Sequence, residues 1–600
     1  MGLRRKLKTV TKRRLYGLLL VFVALLMTGE PAGAQVMGEE STFDREAKIT
    51  RGTGAMVVAA NPYAARIGAQ ILKQGGSAAD AAIATALTLS LVEPQSSGLG
   101  GGGFALTWES KNRFTRSYDG RETAPASVTP ALFESHGSKS KSRWEKAVGG
   151  RSVGIPGLGR MLEKLHKEQG KLPLRVILKP IIKLAHRGYR VSPRLHKMLL
   201  GAAPVAKHFP KFRRFYYTSK GKPLPVGYRL RNPDYAKTLR RIARKGFGSV
   251  YQGWMGYKIR RTIATSPLYP AVMSKEDLRS YRSVRRAPVC GFYRAWKICS
   301  QGPPSSGATT LLAILRMLET QDLQLKGDIP NAEQMHVIAQ SIALAYADRA
   351  KYLTDPAFAD IPVQGLIEAL YARERVKLIT DKPQRFEAGN PPRVMRSARF
   401  QSGVSEDFPS TSHLIVRDKD ANLVTMTTTI QSAFGSFLRV NGMLLNNELT
   451  DFSWVGKRNG IPVTNRAQPG KRPRSSMSPT LVFDASGNPV MALGSAGGSR
   501  IITHVLKVLI ASIDWKMPLD KALSSGNFHS NGTGIDLEKG SALVRLQGDL
   551  EKKGYRVRVR KNISGLTALR IDPDSGTVEG SADPRREGIA VAVEAIDPVE

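Results

Sequence analysis

The chain has 600 residues and a formal net charge of +42, with 91 Lys and Arg against 49 Asp and Glu. Its hydrophobic fraction of 41% and aromatic fraction of 7% are ordinary for globular proteins and exclude a chain that is disordered throughout. Because only two cysteines are present, a zinc site built on cysteines is also excluded.

The N-terminal segment has the pattern of a secretory signal peptide. Seven Lys and Arg residues lie within residues 1–14, and a run of 13 mostly apolar residues follows at 15–27. The small residues Ala32, Gly33 and Ala34 then fit a cleavage site, which predicts removal of residues 1–34. An uncleaved membrane anchor is the alternative, but the apolar run is shorter than the roughly 20 residues that a span needs. We therefore expect an exported protein, either periplasmic or secreted.

Residues 55–104 predict a strand, a buried helix and a glycine-rich segment. Ser77 is a good N-cap for the alanine-rich helix that follows, and Pro94 ends this helix. The segment S-G-L-G-G-G-G-F at 97–104 implies that backbone approaches another group closely there. A phosphate-binding loop is the alternative, but the segment lacks the G-K-[ST] ending and precedes a strand instead of a helix.

The positive charge is dense between residues 160 and 262, within a region at about 150–285 that is predicted to be mostly helical. Its stretch H-F-P-K-F-R-R-F-Y-Y interleaves basic and aromatic residues, as nucleic-acid-binding surfaces do. For an exported protein, weak contact with anionic envelope polymers is the better functional interpretation, and we expect no specific nucleic acid. A solvated basic surface without any ligand is the simplest alternative.

The central part of the chain predicts a strand pair, two helices and a linker. Cys290 and Cys299 flank the strand pair, and the sequence leaves open whether they form a disulfide. Helices are predicted after G-P-P-S-S-G at 302–307 and over 331–350. Residues 381–409 lose apolar periodicity and contain prolines, which indicates an exposed linker where a chain cut would be tolerated.

That linker ends at Thr411, which begins a predicted β-hairpin. The turn D-K-D-A-N at 418–422 centres the hairpin on residue 420, so Thr411 should lie opposite Thr429 with both hydroxyls on one face. If the bond between Ser410 and Thr411 were cut, the new α-amine of Thr411 would lie beside its own hydroxyl and could act as its base. An ordinary polar hairpin is the alternative interpretation.

Residues 490–513 predict a strand, a glycine turn and a helix. Gly497 and Gly498 lie at the turn before the helix N-terminus, where backbone N–H groups favour negative charge. Such a turn suits an oxyanion hole, although a tight turn without a ligand is equally common.

Taken together, these motifs resemble the γ-glutamyltranspeptidase family of N-terminal-nucleophile hydrolases, from about residue 48 to residue 590. The resemblance depends on S-G-L-G-G-G-G-F, D-G-R-E-T-A-P, G-P-P-S-S-G, S-T-S-H, L-L-N-N-E-L-T-D-F, K-R-P-R-S-S-M-S-P-T, G-S-A-G-G-S-R-I-I and S-A-D-P-R-R, in this order. It implies an α+β fold, a four-layer αββα sandwich. It also implies a precursor that cleaves itself into residues 35–410 and 411–600, which stay together as a heterodimer.

The resemblance also implies the chemistry of the site. Thr411 matches the nucleophile that attacks the γ-glutamyl amide of glutathione or related compounds and passes the γ-glutamyl group to water, an amino acid or a peptide. We expect no cofactor and no metal. The other matched positions are Thr429 beside the nucleophile, Gly497 and Gly498 for the oxyanion, Arg121, Ser475 and Ser476 for the substrate carboxylate, and Glu448 and Asp451 for its ammonium.

Two positions depart from the family pattern. Gln431 stands where better-known bacterial members have an asparagine near the substrate amine, and the lid region at 453–470 contains no tyrosine. Trp454 is the candidate replacement for that ring. One rival interpretation is a glutaryl-cephalosporin acylase on the same fold, for which Glu448 and Asp451 would have no purpose. The other is an inactive homologue that binds the cell envelope, against which Thr411 and Arg121 argue.

Overall fold

The computed structural model describes residues 46–134, 143–394, 399–403, 405 and 410–593. The predicted signal peptide at 1–34 lies outside these ranges. Across the described part of the chain, none of the helices combines the length and the apolar character that crossing a membrane requires.

Two seven-stranded sheets form the centre of the described chain. Their strands, in chain order, are β1 Ile49–Gly52, β2 Met56–Ala59, β3 Gly102–Glu109, β4 Phe114–Asp119, β5 Val284–Arg286, β6 Val289–Tyr293, β7 Trp296–Ser300, β8 Ser412–Arg417, β9 Leu423–Thr429, β10 Thr480–Phe483, β11 Pro489–Gly494, β12 Thr567–Ile571, β13 Val578–Ala582 and β14 Ile589–Ala592. The first sheet has the order β1-β13-β12-β11-β10-β7-β6, and the second has the order β14-β2-β8-β9-β3-β4-β5. Every neighbouring pair in both sheets is antiparallel.

Helices cover the outer faces of the sheets and fill the basic region. They are α1 Pro62–Lys73, α2 Ala78–Val92, α3 Arg143–Ala147, α4 Leu158–Gln169, α5 Leu174–Arg187, α6 Pro193–Ala206, α7 Pro210–Tyr216, α8 Pro233–Lys245, α9 Gly253–Ala264, α10 Lys275–Ser280, α11 Gly307–Leu318, α12 Ala332–Tyr352, α13 Val363–Leu366, α14 Ala369–Val376, α15 Ile501–Ile513, α16 Leu519–Ser524 and α17 Gln547–Lys552. Short strands lie at Tyr189–Arg190, Arg229–Leu230, Arg439–Val440, Met443–Leu444, Lys457–Arg458, Ile461–Pro462, Phe528–Ser530, Gly534–Glu538 and Arg556–Arg560.

The buried apolar residues define four layers. One cluster lies between the sheets and joins residues such as Leu106 and Ile415 of the second sheet to Leu481 and Leu569 of the first. A larger cluster packs α11, α12 and α15 against the outer face of the first sheet. Helices α1 and α2 pack on β2 and β8 of the second sheet. The predicted αββα sandwich is therefore confirmed.

Helix α2 begins and ends as the sequence predicts. Ser77 and Asp80 form a reciprocal capping box at its N-terminus, and the helix ends at Val92, before Pro94. All 15 of its residues are buried, which explains why the helix carries so little charge.

The glycine-rich segment lies against the strand that carries Thr429. A Cβ atom at Gly101 would come within 2.0 Å of the Thr429 carbonyl oxygen, and one at Gly100 would come within 2.0 Å of the Leu444 carbonyl. These glycines therefore permit close approach of protein backbone. Elsewhere, Cys290 and Cys299 face each other across β6 and β7 and form a disulfide.

Candidate active site

The hairpin of β8 and β9 sets the position of Thr411. Its register pairs Ser412 with Thr428 and Arg417 with Leu423, so that each pair of residue numbers sums to 840 as predicted. One residue further, the Thr411 hydroxyl donates a hydrogen bond to Thr429 Oγ1 at 3.2 Å. The backbone N–H of Gln431 also donates to Thr429 Oγ1, at 2.8 Å, which fixes the orientation of that hydroxyl.

The peptide bond between Ser410 and Thr411 is buried and strained. Ser410 is fully buried and Thr411 is only 4% exposed. Thr411 has a φ angle of 152°, which is unfavourable for a β-branched residue. Arg586 Nη1 donates a hydrogen bond to the Thr411 carbonyl oxygen at 2.7 Å. The bond is thus held within the fold, although the linker before it was predicted to be exposed.

A cavity of about 160 Å³ opens beside Thr411. It brings together predicted site residues that lie far apart in the sequence, from Arg121 to Gly498. The predicted residues that line it are Arg121, Thr411, Thr429, Gln431, Asp451, Ser475, Ser476 and Gly498. Gly497 precedes Gly498 in the same turn, and Glu448 is buried behind Arg121.

Arg121 is paired with the two predicted acidic residues. Its guanidinium contacts the carboxylates of Glu448 and Asp451, and it also donates to the carbonyl oxygens of Pro473 at 3.1 Å and Arg474 at 3.0 Å. Arg121, expected to bind the substrate carboxylate, therefore contacts the two acids that are expected to bind the substrate ammonium. The physical reason is that a charge as deeply buried as Arg121, 1% exposed, must have ionic partners.

Glu122 adds a third carboxyl group to this cluster. Burial raises the pKa of Glu122 to about 8 despite the opposing effect of Arg121, and burial likewise raises the pKa of Glu448 well above its usual value. Glu122 and Glu448 are both fully buried. A single guanidinium thus lies among three carboxyl groups, and burial favours the uncharged form of two of them, Glu122 and Glu448.

Gln431 connects the Thr429 side of the cavity to this cluster. Its side-chain amide donates to Asp451, while its backbone N–H contacts Thr429. The longer side chain that replaces the expected asparagine therefore positions Asp451.

Ser475 and Ser476 are held by residues that sequence reasoning did not select. The Ser475 carbonyl accepts hydrogen bonds from the backbone N–H of Ser306 at 2.9 Å and from its hydroxyl at 2.6 Å. Arg349 Nη2 donates to Ser476 Oγ at 2.7 Å. Arg349 and Arg474 also line the cavity. The sequence indicates only a helix at position 349, because Ser476 lies 127 residues further along the chain and gives no local signal of the contact.

The backbone conformation of the turn at Gly497 and Gly498 favours glycine. Gly497 and Gly498 have φ angles of 137° and 61°, and they precede α15 as predicted. A Cβ atom at Gly497 would come within 2.6 Å of the His504 ring. Both glycines are therefore required for this turn to form.

Trp454 is not among the residues that line the cavity. Its ring is 6.1 Å from that of Phe133, and Lys146 Nζ lies 4.5 Å above it. The expectation that Trp454 replaces the lid tyrosine is therefore wrong in this structure. Tyr346 and His529 line the cavity instead, with ring centroids 5.2 Å apart, and the Tyr346 hydroxyl donates to the Ser499 carbonyl at 2.7 Å.

Comparisons with known proteins agree with this geometry. The family model described as Gamma-glutamyltranspeptidase matches residues 64–593. The glutathione hydrolase proenzyme of Bacillus subtilis (strain 168) is 32% identical, over 96% of this chain and 97% of the relative. That of Escherichia coli (strain K12) is 34% identical, over 94% and 97%.

Among solved structures, the cephalosporin acylase from Bacillus halodurans superposes with a TM-score of 0.80 at 26% identity, over 94% of this chain and 98% of that one. The match thus extends over nearly the whole length of both chains. Since the family model covers all the residues that line the cavity, the chain belongs to the gamma-glutamyltranspeptidase family.

Proposed function

We propose that this chain cuts itself between Ser410 and Thr411 and then acts as a γ-glutamyltransferase and glutathione hydrolase. The observation that carries the proposal is the Thr411 hydroxyl, bonded to Thr429 at 3.2 Å, in one cavity with the Arg121–Asp451 ion pair. A nucleophile and a pair of opposite charges are the groups that an amino-acid amide requires. The activity also agrees with that of the two glutathione hydrolase relatives.

In the first reaction, Thr411 Oγ1 attacks the carbonyl carbon of Ser410. The hydroxyl proton is transferred to the departing nitrogen as the C–N bond breaks, which leaves an ester between Ser410 and Thr411. Water then hydrolyses the ester, freeing the Ser410 carboxylate, the Thr411 hydroxyl and the Thr411 α-amine. The strained φ of Thr411 favours this reaction because cutting the bond releases the strain. The burial of the bond favours a cut from within over an external protease.

In the mature enzyme, the α-amine of Thr411 acts as the base for its own hydroxyl, since its ordinary pKa of about 7.7–8.0 leaves part of it neutral near pH 7. Thr411 Oγ1 attacks the γ-carbonyl of the substrate, and the leaving amine takes the proton. Gly497 and Gly498 provide backbone N–H groups for the oxyanion. The resulting γ-glutamyl ester is released to water or to the amine of an amino acid or peptide.

The substrate α-carboxylate binds Arg121, Ser475 and Ser476, while the α-ammonium binds Asp451 and Glu448, with Gln431 holding Asp451. In this arrangement the substrate carboxylate and ammonium bind between Arg121 and the acids that now pair with it. Each buried charge therefore keeps a partner of opposite sign.

A cephalosporin acylase is the second candidate, because the cephalosporin acylase from Bacillus halodurans superposes over 94% of this chain. The acidic cluster argues against it. Asp451 lines the cavity beside Thr411, where its carboxylate can accept a hydrogen bond from a γ-glutamyl ammonium. A glutaryl group has no such ammonium.

The test compares the wild-type chain with Thr411→Ala on denaturing gels and in assays with γ-glutamyl and glutaryl anilides. We expect the wild type to give two fragments, cut before Thr411, and to prefer the γ-glutamyl anilide. Thr411→Ala should remain one inactive chain. An uncut but active wild type would sink the mechanism, and preference for the glutaryl anilide would favour the acylase.

The remaining organisation follows from the same proposal. The signal peptide at 1–34 directs export, and residues 35–410 and 411–600 remain associated as two chains after the cut. The pattern of the first 34 residues supports export to the periplasm or the medium.

A further inference from the structure

The loop that follows helix α2 holds the residues on both sides of the bond that is to be cut. The Gln95 carbonyl oxygen accepts a hydrogen bond from Ser410 Oγ at 2.7 Å. Ser97 Oγ donates to Ser412 Oγ at 3.2 Å. On the other side, Arg586 donates to the Thr411 carbonyl at 2.7 Å. The Ser410–Thr411 bond is therefore fixed by contacts to backbone and side chains on either side.

A buried ion pair anchors this loop. Glu93, at its first position, is fully buried and contacts Arg194, which is 2% exposed. Glu93 also accepts hydrogen bonds from Asn61 at 3.0 Å and from the Gln95 side chain at 2.7 Å. Because Gln95 and Ser97 lie two and four residues after Glu93, the position of Glu93 determines where both contacts to the hairpin are made.

The same ion pair reaches the second contact, from Arg586. The backbone N–H of Arg194 donates to the Glu587 carboxylate at 2.8 Å, and Glu587 directly follows Arg586. The guanidinium of Arg586 packs against Gly565, where a Cβ atom would come within 2.7 Å of it. One ion pair thus connects the contacts to Ser410 and to the Thr411 carbonyl.

We propose that Glu93 and Arg194 are positioning residues for self-cleavage, a role separate from substrate turnover. The inference rests on the proposed function, because it assumes that the chain cuts itself at Thr411. Neither residue lines the cavity that contains Arg121 and Asp451. After the cut, Ser410 becomes a chain end, so its contact with Gln95 no longer constrains the nucleophile. Loss of the ion pair should therefore slow maturation far more than it slows turnover.

The chemistry of Glu93 provides a readout that a merely structural role would not give. Burial raises the pKa of Glu93 to about 7, Arg194 and Arg586 oppose this rise, and Glu587 adds to it. Below that pH the carboxyl group takes up a proton and its attraction to Arg194 weakens. The ratio of the wild-type cleavage rate to the Glu93→Gln cleavage rate should therefore fall as the pH is lowered from 8 to 6.

The experiment follows cleavage of full chains that are pulse-labelled during cell-free synthesis. Glu93→Gln, Arg194→Met and the milder Ser97→Ala are compared with Arg51→Gln, a control that removes an exposed ion pair with Glu579 in the same fold. We expect cleavage to be at least about tenfold slower in the first two variants, a few-fold slower in Ser97→Ala and unchanged in Arg51→Gln. The kcat and KM of each cleaved fraction should stay within about twofold of the wild type.

Each outcome supports or overturns the inference. Wild-type cleavage rates in all three variants would overturn it, as would equal losses of cleavage rate and of kcat/KM in the cleaved fraction. If Arg194→Met fails to fold, the rate and pH dependence of Glu93→Gln, which keeps the shape of the side chain, decide the question. A wild-type chain that is never cut before Thr411 would instead contradict the proposed function itself.

Discussion

At the scale of single residues, the arrangement of the site depends on which buried charged side chains pair with one another. Arg121 contacts Glu448 and Asp451, and Gln431 contacts the other oxygen of Asp451. Of these two acids, Asp451 has the more accessible side chain, at 21% exposure against 0% for Glu448. In the proposed binding mode, Asp451 is therefore the carboxylate that the substrate ammonium reaches first.

Asp451→Asn should separate the two candidate substrate classes. The change removes the negative charge and keeps the shape, so kcat/KM for a γ-glutamyl anilide should fall about 30-fold, mainly through KM, as expected for loss of a charged hydrogen bond. Turnover of a glutaryl anilide should change little, and self-cleavage should persist. Asp420→Asn, in the exposed hairpin turn, is the matched control. Equal losses with both anilides would remove Asp451 from the ammonium subsite.

At the scale of elements, tight turns present backbone to the cavity. The turn between β11 and α15 requires glycine at position 497 because of its φ of 137° and because the His504 ring leaves no room for a side chain. The turn between β10 and β11 also contains a glycine, Gly487, with a φ of 77°, but its surroundings are open except for Arg113. The two positions share a positive φ, but only the turn of Gly497 and Gly498 lines the cavity with Thr411.

We expect Gly497→Ala to cost activity and Gly487→Ala to cost only stability. Each change places a side chain at positive φ, a strain of about 1 kcal/mol. Only the first displaces the turn that we propose supplies the oxyanion donors, so its kcat should fall about 100-fold, as for loss of one such donor. Urea unfolding and γ-glutamyl-anilide kinetics on both variants measure the two effects. Full activity in a folded, cleaved Gly497→Ala enzyme would rule out the oxyanion role.

At the scale of the whole molecule, each of the two sheets contains strands from both sides of residue 410. In the second sheet, β8 and β9 lie between β2 and β3, so a cut before Thr411 leaves the hydrogen-bonded order intact. Between the sheets, the His413 ring lies against Gly494 of β11 and is bonded to the hydroxyls of Thr427 at 2.8 Å and Thr425 at 3.0 Å. Sheet packing thus depends on a fully buried histidine.

This histidine should make the packing of the sheets sensitive to acid. Burial lowers the pKa of His413 to about 3 from the 6.5 of an exposed imidazole, so its contribution is present above pH 6.5 and is lost as the pH falls towards 3. Between pH 6.5 and 5 the loss is about 2 kcal/mol. The stability difference between the wild type and His413→Gln, from urea unfolding, should shrink by this amount. Parallel pH profiles for the wild type and His413→Gln would refute the prediction.

Local patterns in the sequence were sufficient where partners lie close along the chain. Thr411 and Thr429 are 18 residues apart, and the turn at 418–422 alone fixes their register. The capping of α2 at Ser77 and the glycine turn before α15 are local in the same way. The ordered motifs, read as a family resemblance, also predicted the αββα layers that the structure has.

Contacts between distant segments were decided only by the tertiary structure. Arg121 meets Asp451 across 330 residues, Arg586 meets Thr411 across 175, and Arg194 meets Glu93 across 101. Nothing in the sequence near Trp454 showed that it would pack against Phe133, or that Tyr346 would line the cavity. The sequence by itself determined the hairpin that places Thr411 beside Thr429 and the glycine turn before α15, because hydrogen-bond register and backbone geometry are local. The tertiary structure decided which charges pair and which rings enclose the cavity, because burial and electrostatic partners depend on how distant elements pack.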